Sequence, residues 1–83
     1  METILNQVIE IIRQILDDKK ISPNLHTKII DLKGWGSLNH ILLVSSIEEH
    51  FQIKFSFKEM LKWETIQDLV QIIEKKSALA DSL

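Results

Sequence analysis

Few side chains in this 83-residue sequence are of a type and spacing that could do chemistry, and Ser37 is the first of them. It follows Gly34-Trp35-Gly36 and lies three residues before His40, so on a helix the two would be neighbours, a nucleophile beside a base. The supporting parts are missing. There is no convincing orienting acid, no oxyanion hole, and too little chain to enclose a substrate. His40 also falls toward the core-side arc of a helix, which makes it a half-buried structural residue. His26, His40 and His50 are too far apart for a recognisable metal motif. The sequence contains no cysteine, which removes thiolate catalysis, disulfides and most structural zinc sites. No glycine-rich loop cradles a phosphate. The expectation is a protein that is not an enzyme and holds no metal. On the local residues alone Ser37 reads as a simple N-cap, as many serines are.

The elements around Ser37 follow from periodicity. At about 100° per residue, Ile4, Leu5, Val8, Ile9, Ile11, Ile12, Ile15 and Leu16 share one face of a first helix. Asp17 to Lys20 form a charge cluster, and Ser22-Pro23-Asn24 disfavours helix, because proline lacks a donor and restricts the residue before it. A long loop runs from there to about Gly36, anchored by Ile29, Ile30 and Leu32; a loop of this length in a compact domain is usually functional. A second helix spans Ser37 to about His50, followed by the extended connector Gln52-Ile53-Lys54-Phe55. Ser56 and Glu59 fit a capping box opening a short helix to Leu61 or Lys62. Thr65 and Asp68 form a similar box, opening a helix with Ile66, Leu69, Val70, Ile72 and Ile73 on one face. That helix runs to Lys75-Lys76, cations suited to a helix C-terminus. Trp63 and Phe57, beside the short helix, are expected to seal the core. The fold class is therefore all-α, a four-helix bundle with a long first loop and a short third helix. Residues 1–76 form the domain and 77–83 a flexible C-terminal tail.

The second helix has two apolar faces. Leu43, Val44, Ile47 and Phe51 form the larger set, ending at an aromatic, and are assigned to the core. Leu38, Ile41 and Leu42 fall largely on the opposite side, beside Ser37. Left at the surface they form a docking face for a partner; the alternative is that they lie under the long loop.

Bulk properties narrow the function further. Ten basic and twelve acidic residues leave a formal net charge of −2, without the basic stripe that neutralises nucleic-acid phosphates. No apolar run approaches the ~20 residues that span a bilayer. A cytoplasmic, monomeric protein with no nucleic-acid partner and no membrane insertion is expected.

Asp31-Leu32-Lys33-Gly34-Trp35-Gly36-Ser37-Leu38-Asn39-His40-Ile41, followed by Ile47-Glu48-Glu49-His50-Phe51-Gln52-Ile53, resembles the signature of the acyl carrier proteins. In that family an Asp-Ser-Leu motif opens the second helix and an apolar-Glu-Glu-x-Phe stretch closes it. The spacing matches without a gap and continues through Thr65-Ile66-Gln67-Asp68-Leu69, so the resemblance covers roughly Ile4 to Lys75. It implies that Ser37 accepts 4′-phosphopantetheine, whose thiol holds an acyl group as a thioester. It also implies a phosphopantetheinyl transferase and acyl-loading and acyl-using enzymes as partners, docked at Leu38, Ile41 and Leu42 with Glu48 and Glu49. In some carriers the bundle interior holds the acyl chain. By that resemblance Leu43, Ile47, Phe55, Met60 and Trp63 are candidates to line such a pocket, but plain core packing is the leading reading for them, with bulky Trp63 restricting the space.

Two departures from the family pattern stand out. Gly36 replaces the usual Asp before the serine, a residue that in the family helps the transferase position its metal and contacts. An unmodified carrier fold acting as a protein-protein adaptor is therefore the alternative function. Ser37 to Ile47 also contains no acidic residue, whereas fatty-acid carriers present an acidic second helix to basic enzymes, so a specialised pathway is expected. Asp81-Ser82-Leu83 spells the family tripeptide too, but no sequence follows to form its helix, which leaves Ser37 as the expected attachment point.

Overall fold

The computed structural model of the protein describes residues 3–81. Four α-helices follow one another: α1 (Ile4–Leu16), α2 (Ser37–Phe51), α3 (Phe57–Lys62) and α4 (Ile66–Asp81), with one 3-10 turn, Ile29–Asp31, inside the first loop. The all-α bundle with a long first connection and a short third helix matches the sequence expectation.

Helix α1 starts where Thr3 Oγ1 accepts the Asn6 N–H at 3.2 Å, and ends at Asp17, which takes a left-handed conformation (φ 51°). Its stripe turns Val8, Ile11 and Ile12 fully inward, with Ile4, Leu5, Ile15 and Leu16 half-buried at the edges. Against it pack Leu43 and Ile47 of α2 and Leu69, Val70 and Ile73 of α4. Each large apolar side chain fully removed from water contributes roughly 1.5–3 kcal/mol, so this shared centre dominates stability. His50 Nε2 and Gln7 Oε1, 2.8 Å apart, add a polar tie between α2 and α1 at the surface.

The later helices begin as their sequences predict. Ser56 Oγ accepts the Glu59 N–H at 3.2 Å while Glu59 accepts the Ser56 N–H at 2.7 Å, a complete capping box. Thr65 Oγ1 accepts the Asp68 N–H at 3.2 Å, and Asp68 Oδ2 accepts the N–H groups of Thr65 and Glu64, both at 3.1 Å. Lys76 Nζ reaches back to Glu59 at 2.8 Å, tying α4 to α3.

Three expectations change. Helix α4 does not stop at Lys75-Lys76 but continues to Asp81, because Ser77-Ala78-Leu79-Ala80 contains neither glycine nor proline to end it. Residues 82 and 83 of the expected tail lie outside the described residues. Ile30, expected as an anchor, is 75% exposed, since the 3-10 turn that buries Ile29 points the next side chain outward. Phe57 is 72% exposed, because it is the first residue of α3 and so leaves the extended alternation that buries Ile53 and Phe55.

Candidate functional site

The long loop is held in place by backbone bonds rather than by side chains alone. Glu64 O accepts the Ile29 N–H at 2.9 Å, Thr27 O accepts the Ile66 N–H at 3.1 Å, and Leu25 O accepts the Gln67 N–H at 3.0 Å. An isolated antiparallel bridge between Lys28 and Thr65 marks this pairing. It sets the second half of the loop against the α3–α4 junction, facing the start of α2.

Between these parts lies an open cleft of about 670 Å³. Ile29, Ile30 and Trp35 come from the loop, Met60, Leu61 and Trp63 from α3 and its end, and Ser37 and His40 from the first turn of α2. Ser37 is exposed at the mouth. The His40 ring lies over the Trp63 indole, with centroids 5.0 Å apart and planes at 31°. Phe55 stacks on the same indole from within at 5.7 Å. His40 is thus a half-buried wall residue, as its place on the wheel suggested, and among the described residues no carboxylate orients its ring.

Ser37 is the first residue of α2, not its cap. Gly36 holds the cap position with φ −153° and ψ −177°, an extended conformation open to any residue. Asn39 Oδ1 accepts the Gly36 N–H at 2.8 Å, which is half of a capping box. Glycine has no side chain to return the bond, so among the described residues no side chain caps the first-turn N–H groups beside Ser37. These free donors and the positive end of the helix dipole lie at the start of α2, beside Ser37. Gly34, by contrast, has φ +84° and uses the freedom only glycine has.

The two apolar faces of α2 separate as expected. Leu43 and Ile47 are fully buried, while Leu38, Ile41 and Leu42 are 68%, 63% and 43% exposed. The loop does not cover them. Of the two acidic residues at the far end of α2, Glu49 is exposed, but Glu48 accepts the Phe55 N–H at 2.9 Å and so anchors the connector.

Of the five residues named for an acyl pocket, Leu43, Ile47, Phe55 and Trp63 belong to the packed core, the leading reading for them, and Met60 packs against it. Met60 and Trp63 also stand on the cleft wall. The loop residues and Leu61 on the opposite walls have no signal in helical periodicity; only the Gly-Trp-Gly bracket hints at them. Trp63 has one further property. It is 5% exposed, and its Nε1 has no hydrogen-bond partner among the described residues. An unpaired buried N–H costs roughly 1–3 kcal/mol, which a phenylalanine would not incur. No group of three or more His, Cys, Asp or Glu among the described residues is placed to hold a metal.

The family model described as phosphopantetheine attachment site matches residues 6–73. The chain belongs to this family, that of the acyl carrier proteins. It is 32% identical over 77 residues to an acyl carrier protein of Buchnera aphidicola, covering 93% of this chain and 96% of that one. A Campylobacter concisus acyl carrier protein is 41% identical over 51 residues, 61% of this chain and 66% of the relative. Among solved structures, the holo acyl carrier protein from Geobacter metallireducens superposes with a TM-score of 0.86 at 35% identity, covering 94% of this chain and 90% of that one. A putative acyl carrier protein from Mycobacterium tuberculosis shares the fold, with a TM-score of 0.75 at 21% identity, covering 93% of this chain and 97% of that one. The carrier assignment accounts for a domain that presents an exposed serine beside a cleft.

Proposed function

We propose that this carrier holds acyl groups on a 4′-phosphopantetheine arm joined to Ser37, and that it serves a specialised pathway. The observation that supports Ser37 is its position: exposed, first in α2, beside uncapped N–H groups and at the mouth of an apolar cleft. When bound, the arm supplies the thiol on which an acyl group rides. The chain supplies an accessible hydroxyl, N–H donors and dipole for the phosphate, and apolar walls that exclude water from whatever folds in.

Leu38, Ile41 and Leu42 form a strip at i, i+3 and i+4 next to the attachment point, suited to the apolar face of a partner enzyme. The absence of acidic residues from Ser37 to Ile47 argues for partners that do not rely on a basic patch, with Glu49 left as the exposed charge at the far end. Partners are the phosphopantetheinyl transferase and the enzymes that load and use the acyl group. The cytoplasmic location and monomeric state expected from the sequence belong to the same reading, and among the described residues no helix is long and apolar enough to cross a membrane.

Incubation with a broad-specificity phosphopantetheinyl transferase, coenzyme A and magnesium, followed by intact mass, tests the assignment. A gain of one phosphopantetheine that is lost in Ser37→Ala supports it. No gain with any transferase sinks it and leaves an unmodified adaptor, the function that Gly36 in place of Asp favours.

A further inference from the structure

Trp63, whose indole N–H is buried and unpaired, is a wall residue of the same cleft that opens at Ser37. Trp63 lines that cleft, is 5% exposed, and has no acceptor for Nε1 among the described residues. Most neighbours on the wall are apolar: Ile29, Ile30, Met60 and Leu61. His40 is the residue between Ser37 and the indole, one helical turn from the serine and with its ring over that of Trp63.

We propose that Trp63 Nε1 donates a hydrogen bond to a carbonyl oxygen of the group borne by Ser37 when that group folds into the cleft. This inference rests on the carrier reading and assigns a positioning role that apolar packing alone does not provide. A chain entering from Ser37 meets His40 first. Displacing that ring opens the indole to it, and a carbonyl then satisfies a donor that the protein itself leaves unpaired. The acceptor has two possible sources, the amide carbonyls of the arm and the carbonyl of the cargo. A cargo joined as a thioether, without the thioester carbonyl, leaves the indole only the amide carbonyls of the arm.

The test reads the Trp63 indole resonance in ¹H–¹⁵N spectra, with Trp35→Phe to assign the two indoles. Four forms are compared: the unloaded chain, the chain bearing the bare arm, the arm ending in an octyl thioether, and the arm ending in an octanoyl thioester. A downfield indole proton shift already present with the bare or octyl arm assigns the acceptor to the arm's amides. One that appears only with octanoyl assigns it to the cargo. No downfield shift in any loaded form overturns the proposal. Trp63→Phe, which keeps an aromatic ring but removes the pyrrole half with its N–H, should expose the thioester and speed its cleavage by hydroxylamine at least about twofold; an unchanged rate counts against the bond. Because the chain has no cysteine, haloacetyl derivatives of the octyl thioether and octanoyl thioester arms, which carry no free thiol, can also be coupled to Ser37→Cys, the thiolate displacing halide. Failure of enzymatic loading thus strikes the carrier reading, while the chemically coupled forms still decide the role of Trp63.

Discussion

Asn39 accepts the backbone N–H of Gly36 at 2.8 Å, and Gly36 has no side chain to complete the exchange. The helix that presents Ser37 therefore starts with half a cap. A Cβ built on Gly36 would meet Asn39 Oδ1 at 3.5 Å, ordinary contact, and the backbone there is extended. Gly36 is thus a chemical departure from the family and not a conformational necessity.

Gly36→Asp should accordingly fold and gain stability. An acceptor for the first-turn N–H groups and a negative charge at the helix start together give roughly 0.5 kcal/mol. For a domain of this size that raises Tm by about 2–4 °C. Intact-mass time courses should also show faster loading of Ser37. A variant that melts lower, or loads no faster, removes the capping account.

Leu38→Ser combined with Ile41→Ser probes the exposed strip of α2. Both side chains are more than half exposed, so the unfolding free energy should stay within about 0.5 kcal/mol of the parent. The KM for loading by the transferase should rise while kcat is retained. Raising salt from about 0.1 to about 1 M shortens the Debye length from ~10 to ~3 Å, yet should change the parent's KM little, since Ser37 to Ile47 contains no acidic residue. Steep salt dependence would argue for a charged docking mode.

Acid stability tests the two capping carboxylates. The backbone N–H groups of Thr65, then Glu64, hold the Asp68 carboxyl below its ordinary 3.8. The Lys76 side chain, then the Ser56 N–H, holds that of Glu59 below its ordinary 4.5. Each group binds its proton more readily in the unfolded chain, so stability rises with pH across the gap between unfolded and folded values. The contribution is complete above the ordinary values and is lost as pH falls through the lowered ones. Asp68→Asn should cost a few tenths to about 1 kcal/mol near pH 7 and flatten the decline in urea midpoints below about pH 4. An equally steep decline in the variant excludes Asp68 as a source.

Local signals were readable in advance, and long-range ones were not. The stripe of α1, the boxes at Ser56–Glu59 and Thr65–Asp68, and the split of α2 between Leu43 and Ile47 on one side and Leu38 and Ile41 on the other all follow from spacing within a few turns. The exposure of Ile30 does not, because it depends on the pairing of Ile29 with Glu64 across the fold. For the same reason periodicity does not separate Met60 and Trp63 from Leu43, Ile47 and Phe55: it tells inside from outside, but not a packed interior from a cleft whose far wall is a loop. The end of α4 was misjudged because cations at a C-terminus are a preference, whereas the residues after Lys76 contain nothing that stops a helix.

The pairing of the first loop with the α3–α4 junction also bears on folding. The amide protons of Ile29, Ile66 and Gln67 are donated between segments more than thirty residues apart, so none is protected until both have docked. They should exchange with solvent as one cooperative unit, separable from the α1–α2 centre. Opening of that unit would undo the cleft wall while the helix bearing Ser37 stays folded, giving the carrier a way to release a sheltered group without unfolding.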